Sequence, residues 1–371
     1  LKAAYFILNS FDVDTRARLE VETLREIGLE VEIIATTGGT LNEFRGAKIH
    51  RVPQWRDPTR KFRFAQYNFL AAAIGAKIKA DIYHAVDLDT LLAASLAARR
   101  RRAPIIYEAR ELYAELEALV GRKAVKAAWT SLERRLIHRA ARVVTINDSI
   151  AGELIQRYGI EKPVVIRNVA ILPSKIEPID LRAAYAIPRD WKVLVYQGVL
   201  RRGQGLSYAL EIMRHLEKMV LIFIGDGVIK PELIEKAAAL GLSERVRFAG
   251  RIDSDRLPDY TAGADVGLLL MEDVALNNRL ALPQKIFQYV AAEVPQVVSP
   301  MTEIAAFVNR EKTGLVVTLS DAEIAALDIS TFLSDEAALA DVKSRCRESA
   351  ARNNWELESK KWLDVYQELI S

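Results

Sequence analysis

The sequence predicts an α/β protein of two doubly wound domains in tandem, and three observations carry that prediction. Short β-branched runs alternate with amphipathic stretches along nearly the whole chain. Several of these runs lack a strict in–out alternation, which is how strands covered by helices on both faces read. The rhythm breaks once, at residues 167–178, where Asn168, Pro173 and Pro178 interrupt any period, and then it restarts. A length of 371 residues suits two domains. The chain therefore divides into residues 1–168, residues 169–352 and a closing segment, 353–371. Two successive open sheets of this kind bind ligands at the carboxyl ends of their strands, so the expectation is two domains facing across a cleft.

In the first domain the predicted strands are 3–8, 31–35, 49–52, 81–84, 104–107, 142–146 and 164–166, with helical patterns at 14–27, 64–79, 88–99 and 125–139. In the second the strands are 192–197, 220–224, 246–249, 265–270, 296–299 and 314–317, again alternating with helices. Near the end, Trp355, Leu363, Tyr366 and Leu369 approach helical spacing. That pattern predicts a closing helix that docks back on the first domain.

Composition narrows the class. Half of the residues are hydrophobic and 27% are charged, which gives material for two soluble cores. No apolar run approaches the ~20 residues that span a bilayer, and the opening Leu1-Lys2 and strand-like run carry no signal-peptide pattern. The single cysteine, Cys346, excludes an intrachain disulfide framework and a cysteine-cluster metal site, as suits a reducing compartment. The net charge of +3 hides an asymmetry. Residues 1–168 carry 28 Lys and Arg against 20 Asp and Glu, whereas 169–371 carry 24 against 29. A basic first half suits an anionic partner such as a membrane surface or a phosphorylated acceptor, with ordinary surface charge as the alternative. The basic and aromatic stretch from Trp55 to Phe64 fits either contact with anionic lipid headgroups or a loop over an acceptor. Arg99 to Arg102 close a helix, where cations favour the dipole. No recognition module for nucleic acid is present.

The chemistry-bearing features cluster at strand ends. The run from Gly198 through Val199, Leu200, Arg201, Arg202, Gly203 and Gln204 to Gly205 joins a strand to a helix. A glycine-rich turn at a helix start lets backbone N–H groups and the helix dipole approach a phosphate, and Arg201 or Arg202 can pair with a diphosphate. The same residues also read as an ordinary turn. Gly225-Asp226-Gly227 ends the next strand and Gly250-Arg251 the one after, so three successive strands end in glycine. Asn277-Asn278-Arg279-Leu280-Ala281-Leu282 leads into a helix with Pro283 at its first turn and Lys285 one residue further in than Gln284. These free N–H groups and Lys285 suit a second face of a diphosphate. In the first half, His84, Asp87, Glu108 and Glu111 fall at predicted strand ends, where a sugar hydroxyl or a solvated helix start explains them equally. His50, His138 and His215 show no metal-ligand spacing.

Taken in order, these motifs resemble glycosyltransferase family 4. Tyr196-Gln197-Gly198 through Gly205, Gly225-Asp226-Gly227, Ala262 to Gly267, and Leu282-Pro283-x-Lys285-x-Phe287 resemble its donor domain. His84 to Thr90, Tyr107 to Leu112, Asn147-Asp148-Ser149 and Ile166 to Val169 resemble its acceptor domain. The resemblance implies the GT-B fold, a nucleoside-diphosphate sugar as co-substrate, retention of anomeric configuration, and neither metal nor other cofactor. Asp12-x-Asp14 and Asp87-x-Asp89 then read as helix-start carboxylates rather than metal ligands. Gly198, Leu200, Arg201, Gln204, Gly225, Asp226, Gly227, Arg251, Asn278, Arg279, Leu282, Lys285 and Gln288 are assigned to the donor. Asp87, Glu108 and Arg110 are assigned to the chemistry, and His84 and Glu111 to the acceptor.

The chain departs from the family pattern in places. Val86 and Arg110 stand where histidines are usual, Gln204 where Lys or Arg is usual, Leu280 and Gln288 where glutamates are usual, and Glu293 where a glycine is usual. Gln288 keeps a hydrogen bond to a ribose hydroxyl without its charge. Arg110 cannot act as a base and suits an acidic sugar or phosphate. A front-face displacement needs no protein nucleophile, because the departing phosphate can take the acceptor proton. The resemblance thus implies a cytoplasmic retaining hexosyltransferase at the inner face of the plasma membrane. It would act on a glycan or lipid-linked acceptor in surface or exported polysaccharide synthesis. The rival is a non-catalytic relative serving as partner in a biosynthetic complex. A sugar-nucleotide epimerase of similar architecture lacks a nameable acid/base pair.

Overall fold

A computed structural model describes residues 1–54, 63–173 and 175–369. It divides into unit 1, Leu1–Asn168 with Glu358–Ser371, and unit 2, Val169–Leu357. Apart from Arg63 and Phe64, the basic and aromatic stretch at 55–64 lies outside the described residues.

Unit 1 holds strands β1 (Lys2–Phe6), β2 (Glu30–Thr36), β3 (Glu43–Phe44), β4 (Ala47–Val52), β5 (Ile82–Val86), β6 (Ile105–Ala109), β7 (Arg142–Thr145) and β8 (Val164–Val165). They form one sheet in the order β3-β4-β2-β1-β5-β6-β7-β8. Every pair is parallel except the β3–β4 hairpin, in which Phe44 faces Ala47. That two-residue strand is absent from the sequence reading because it is too short to show a period. The five residues of β5 and of β6 are all buried, as expected for central strands sandwiched between helices. Helix Thr15–Glu26 is capped by Asp14, whose carboxylate accepts from the Ala17 N–H at 2.9 Å. The order of strands reverses between β1 and β5, and that topological switch point opens at their carboxyl ends.

Unit 2 holds β9 (Lys192–Gln197), β10 (Met219–Ile224), β11 (Val246–Gly250), β12 (Val266–Leu269), β13 (Gln296–Val298) and β14 (Gly314–Val316). All are parallel, in the order β11-β10-β9-β12-β13-β14, the doubly wound order with its switch between β9 and β12. Leu194, Leu210, Phe223, Leu268 and Ile329 belong to one buried cluster of this unit. Glu293 adopts φ 57, the left-handed conformation that explains a glycine there in relatives, and its carboxylate holds Arg347 at 2.6 and 2.7 Å.

Residues 166–173 and 175–180 carry no regular secondary structure where the sequence places a linker. Helix Trp355–Glu368 carries the chain from unit 2 into unit 1. Within unit 1, Glu358 accepts from the Arg167 backbone N–H at 3.0 Å and its Nε at 2.8 Å. Trp362 and Tyr366 of the same helix are buried against His84. No helix among the described residues is long and apolar enough to cross a membrane.

Candidate functional site

In unit 2 the glycines act first on each other. A Cβ on Gly225 would strike the Gly198 carbonyl, one on Gly227 the Leu200 carbonyl and one on Gly205 the Leu270 carbonyl. The loops after β9 and β10 therefore lie backbone against backbone, tied by Gly198 N–H to the Ile224 carbonyl at 2.8 Å and Leu200 N–H to the Asp226 carbonyl at 2.9 Å. Their close approach floors an open cavity of about 660 Å³. Val199, Val228, Ile252 and Leu257 give it apolar walls, and of its lining side chains only those of Asp226 and Arg251 are charged. Asp226 is exposed and accepts from the Gly227 N–H at 2.8 Å. The helix Leu206–His215 starts at Gly205, whose N–H donates to Glu272 at 3.0 Å. That carboxylate occupies a donor that the sequence leaves open for phosphate.

Beside the cavity, Lys285 lies across Gly198, where a Cβ would come within 2.6 Å of the lysine Cε. Its Nζ donates to Gln204 Oε1 at 2.7 Å and sits 4.8 Å above the Tyr196 ring. Burial and the neighbouring Arg201 bring the Lys285 amine down to about 7. One turn on, Gln288 pairs with Gln197 at 2.8 Å, and Gln197 pairs with Thr261 at 2.6 Å. Arg201 is exposed next to this group. Arg202 points to Glu232 at 2.8 Å and Arg279 to Asp273 at 2.8 Å, both on the surface. Asn278 and Leu282 are buried, and 276–280 form the short helix Leu276–Leu280. Pro283 stands at the N-cap with extended backbone, one position earlier than expected.

In unit 1 the carboxyl ends of β5 and β6 meet at Asp87. Its backbone has φ 59 and ψ 168, a region nearly reserved for glycine, and such strain persists only where the surroundings over-determine it. Here the Asp87 N–H donates to the Glu108 carbonyl at 2.8 Å, and its carboxylate accepts from the Arg110 N–H at 2.9 Å. Burial, with Asp89 and Glu111 nearby, raises the Asp87 carboxyl well above the usual range. Burial likewise lifts Asp89 to about 7, although Tyr113 donates to it at 2.9 Å. Glu111 is exposed.

The structure ties three of the assigned residues to partners inside unit 1. His84, expected to face a ligand, lies mid-strand at 0% exposure. Its Nδ1 is 2.8 Å from the Tyr366 hydroxyl, and burial lowers its basicity. Glu108, assigned to the chemistry, is also at 0% and is held by Arg16 at 2.8 Å and Arg110 at 3.0 Å. Arg110, expected to take an acidic ligand, spends its guanidinium on Glu108, Glu20, Asp14 and the Tyr5 hydroxyl. Burial opposes charge on Glu108, yet the two guanidiniums hold it well below the usual range. Burial, followed by the Glu108 charge, pushes Glu20 up to about 8. Among the described residues, Glu20, His84 and Glu108 bring possible metal ligands within 4.8 Å of one another. Arg16 and Arg110 already hold both carboxylates, so a cation there would face two guanidiniums.

Sequence reasoning named Tyr196 and Gln197 within a motif but gave them no role, and passed over Glu272 in unit 2 and Arg16, Glu20 and Tyr5 in unit 1. Arg16 and Glu20 lie four apart on one helix, a spacing that reads as a solvated pair and gives no sign of burial.

A family profile described as Glycosyltransferase Family 4 matches residues 13–170, and one described as Glycosyl transferases group 1 matches 179–352. Among curated proteins, the D-inositol 3-phosphate glycosyltransferase 2 of Catenulispora acidiphila is 27% identical over 64% of this chain and 58% of its own. The lipopolysaccharide core biosynthesis glycosyltransferase LpsE of Rhizobium meliloti is 30% identical over 44% of this chain and 45% of its own. The chain thus spans about half the length of these relatives. The solved structure of Anabaena Alr3699/HepE in complex with UDP and glucose superposes with a TM-score of 0.80 at 16% identity, covering 99% of both chains. A likeness at that identity speaks for the fold.

Proposed function

The chain belongs to glycosyltransferase family 4 and has the GT-B type fold, and from that premise we propose that it is a retaining, metal-independent glycosyltransferase. Its donor is a nucleoside-diphosphate sugar, in line with the UDP and glucose held by the Anabaena neighbour. Its acceptor is a glycan or lipid-linked sugar in surface or exported polysaccharide synthesis, in line with the lipopolysaccharide core biosynthesis named for the Rhizobium relative. The reading places the protein in the cytoplasm, against the anionic inner face of the plasma membrane.

The observation that carries the proposal is the cavity at the carboxyl ends of β9, β10 and β11, with Arg201 and Lys285 beside it. Apolar walls and exposed backbone suit a base and ribose, and the two cations suit a diphosphate. Arg251 and Gln288 are assigned to the nucleoside. In the reaction the bond between the sugar C1 and the phosphate oxygen breaks while C1 bonds to the acceptor oxygen on the same face. The acceptor proton passes to the departing diphosphate, so the protein contributes position and electrostatics. Asp87 and Glu111 are the carboxylates assigned to orient the acceptor.

The test is thermal stability against a panel of nucleoside diphosphates and their sugar conjugates. A ligand at 100 times its dissociation constant should add about 2.7 kcal/mol. Arg201→Ala should cost that ligand roughly tenfold or more in affinity. A folded protein that responds to none of the panel overturns the proposal.

A second reading, a non-catalytic partner in a biosynthetic complex, is favoured by one observation. His84, Glu108 and Arg110 are locked inside unit 1, and Val86 replaces an imidazole. Nucleotide binding without turnover over any acceptor, with turnover appearing after Val86→His and Arg110→His, would select it. Turnover by the wild type removes it.

A further inference from the structure

We infer that the helix Lys123–Leu136, with the turn that follows it, is the surface on which this protein lies against an anionic lipid bilayer, held there by charge and released by salt. The inference rests on the reading above that places the protein at a membrane, and it names the residues that make the contact.

Residues 120–142 carry seven Lys and Arg against one acid, Glu133. That acid is buried and accepts from the Tyr107 and Tyr158 hydroxyls at 2.7 Å each, so it belongs to the core. Trp129 also turns inward, edge-on to the rings of Phe64 and Tyr113, and Leu136 and Ile137 are buried. The opposite side of the helix is exposed and of one sign. Ala124, Ala128 and Arg135 form one row along it, and Lys123, Ala127 and Arg134 form the row beside. Arg122 and Arg139 stand just beyond its two ends, also exposed. Two of the seven cations are spent inside unit 1, Lys126 on Glu115 and Arg142 on Glu368. The other five, Arg122, Lys123, Arg134, Arg135 and Arg139, have no acidic partner among the described residues, although Arg134 lies over the Tyr158 ring at 5.6 Å.

Local stability does not explain that placement. Arg134 and Arg135 lie in the last turn, where cations favour the helix dipole. Arg122, however, is an N-cap without a side-chain cap bond, and Lys123 opens the first turn, where cations oppose the dipole. A planar anionic surface offsets that cost and the mutual repulsion of the five. The helix is about 20 Å long, so the cations at its two ends can meet one flat surface together, and the short alanines between them allow close approach. Val120 and Val125 are its large exposed hydrophobics, too little apolar area for deep insertion, so the contact is electrostatic. A second basic run adds to the same surface. The helix Leu88–Arg99 packs beside this one and leads into Arg99 to Arg102, all exposed. The Ala141 N–H donates to the Ile105 carbonyl at 2.8 Å, which sets both basic runs at one edge of the sheet. A bilayer fits this surface better than a nucleic acid, because Trp129, the aromatic residue of this helix, faces the core and offers no platform for a base.

Cosedimentation with vesicles tests this, comparing phosphatidylcholine alone with phosphatidylcholine and phosphatidylglycerol in equal parts. The expected result is binding to the anionic vesicles only, weakening steadily as ionic strength rises from ~0.05 to ~0.5 M and the Debye length shrinks. Changing any one of the five cations to Gln should weaken binding about fivefold. Combining Arg122→Gln, Lys123→Gln, Arg134→Gln, Arg135→Gln and Arg139→Gln should weaken it about 100-fold or more. These side chains are exposed, so the combined variant should stay folded and keep any thermal response of unit 2 to nucleoside diphosphates. Arg134→Lys with Arg135→Lys keeps the charge and should keep the binding. A control that removes five exposed cations from unit 2, with Arg189→Gln, Arg214→Gln, Lys218→Gln, Arg310→Gln and Lys343→Gln, should bind vesicles as the wild type does. Wild-type protein that binds neither vesicle, or binds both equally, overturns the inference. Undiminished binding by the combined variant, or an equal loss in the control, overturns it as well. So does capture of a duplex oligonucleotide through the same five residues without vesicle binding. A nucleotide response retained in any of these cases leaves the donor site standing. Binding to anionic vesicles through these residues in a protein that answers no nucleotide supports this surface and overturns the donor reading alone.

Discussion

The two clusters at the strand ends of this chain use the same fold and opposite electrostatics. In unit 1, at the ends of β5 and β6, Arg16 and Arg110 pair with Glu20, Glu108 and Asp14, and Arg16 Nη1 is left buried without an acceptor. In unit 2, at the ends of β9 and β10, Lys285 and Arg201 sit together with only neutral amides and a ring at the lysine. The first arrangement stabilises itself. The second brings two cations together beside an open cavity. The difference teaches that burial of ionisable residues is not by itself a sign of ligand binding, whereas two cations brought together beside an open cavity are a better one.

Three substitutions or conditions sharpen that contrast, beginning with the largest effect. Arg110→Ala leaves Glu108 and Glu20 buried with half their compensation, and breaking such a pair costs about 3–5 kcal/mol. Denaturation of the full chain should show the loss, with hydrogen exchange locating it in β5 and β6. A loss confined to nucleotide affinity would mean that Arg110 belongs to the binding machinery after all. Gly225→Ala sets a Cβ on the Gly198 carbonyl at φ 139, so about 1–3 kcal/mol of backbone strain is expected, together with lost nucleotide affinity. Unchanged stability in that variant would show that the two loops do not lie in contact.

The third is pH, and here the two units should move in opposite directions. Glu20 is raised to about 8 from the ordinary carboxyl value. The folded state therefore holds its proton where the unfolded chain has lost it, and the stability it contributes declines as pH rises toward 8 and is lost beyond it. Lys285 is lowered to about 7, so between that value and ~10.4 the unfolded chain holds the extra proton and stability increases with pH. Hydrogen exchange followed from pH 6 to pH 9 and corrected for the chemical rate should show unit 1 loosening and unit 2 tightening. Parallel behaviour would remove the contrast.

Much of this molecule was legible before any coordinates. The strand runs, the break at 167–178 and the helix starts follow from periodicity, proline and caps, because a central strand covered on both faces needs continuous apolar residues. The glycines after β9 and β10 were legible as positions of close approach, but not what approaches. Gly225 and Gly227 make room for the carbonyls of Gly198 and Leu200, and Gly198 makes room for the Lys285 side chain. Local sequence likewise put His84, Glu108 and Arg110 at strand ends, but whether a side chain there faces solvent or a buried charge depends on partners far along the chain. Arg16 lies 92 residues from Glu108, and Tyr366 lies 282 from His84.

The sequence by itself determined the fold class, the family, and the strand ends at which chemistry can occur, since all three rest on local periodicity and short motifs. Only the tertiary structure decided which ionisable residues are spent on one another and which cations come together beside the cavity. That outcome depends on distances and on burial, and neither is written in the spacing of residues along the chain.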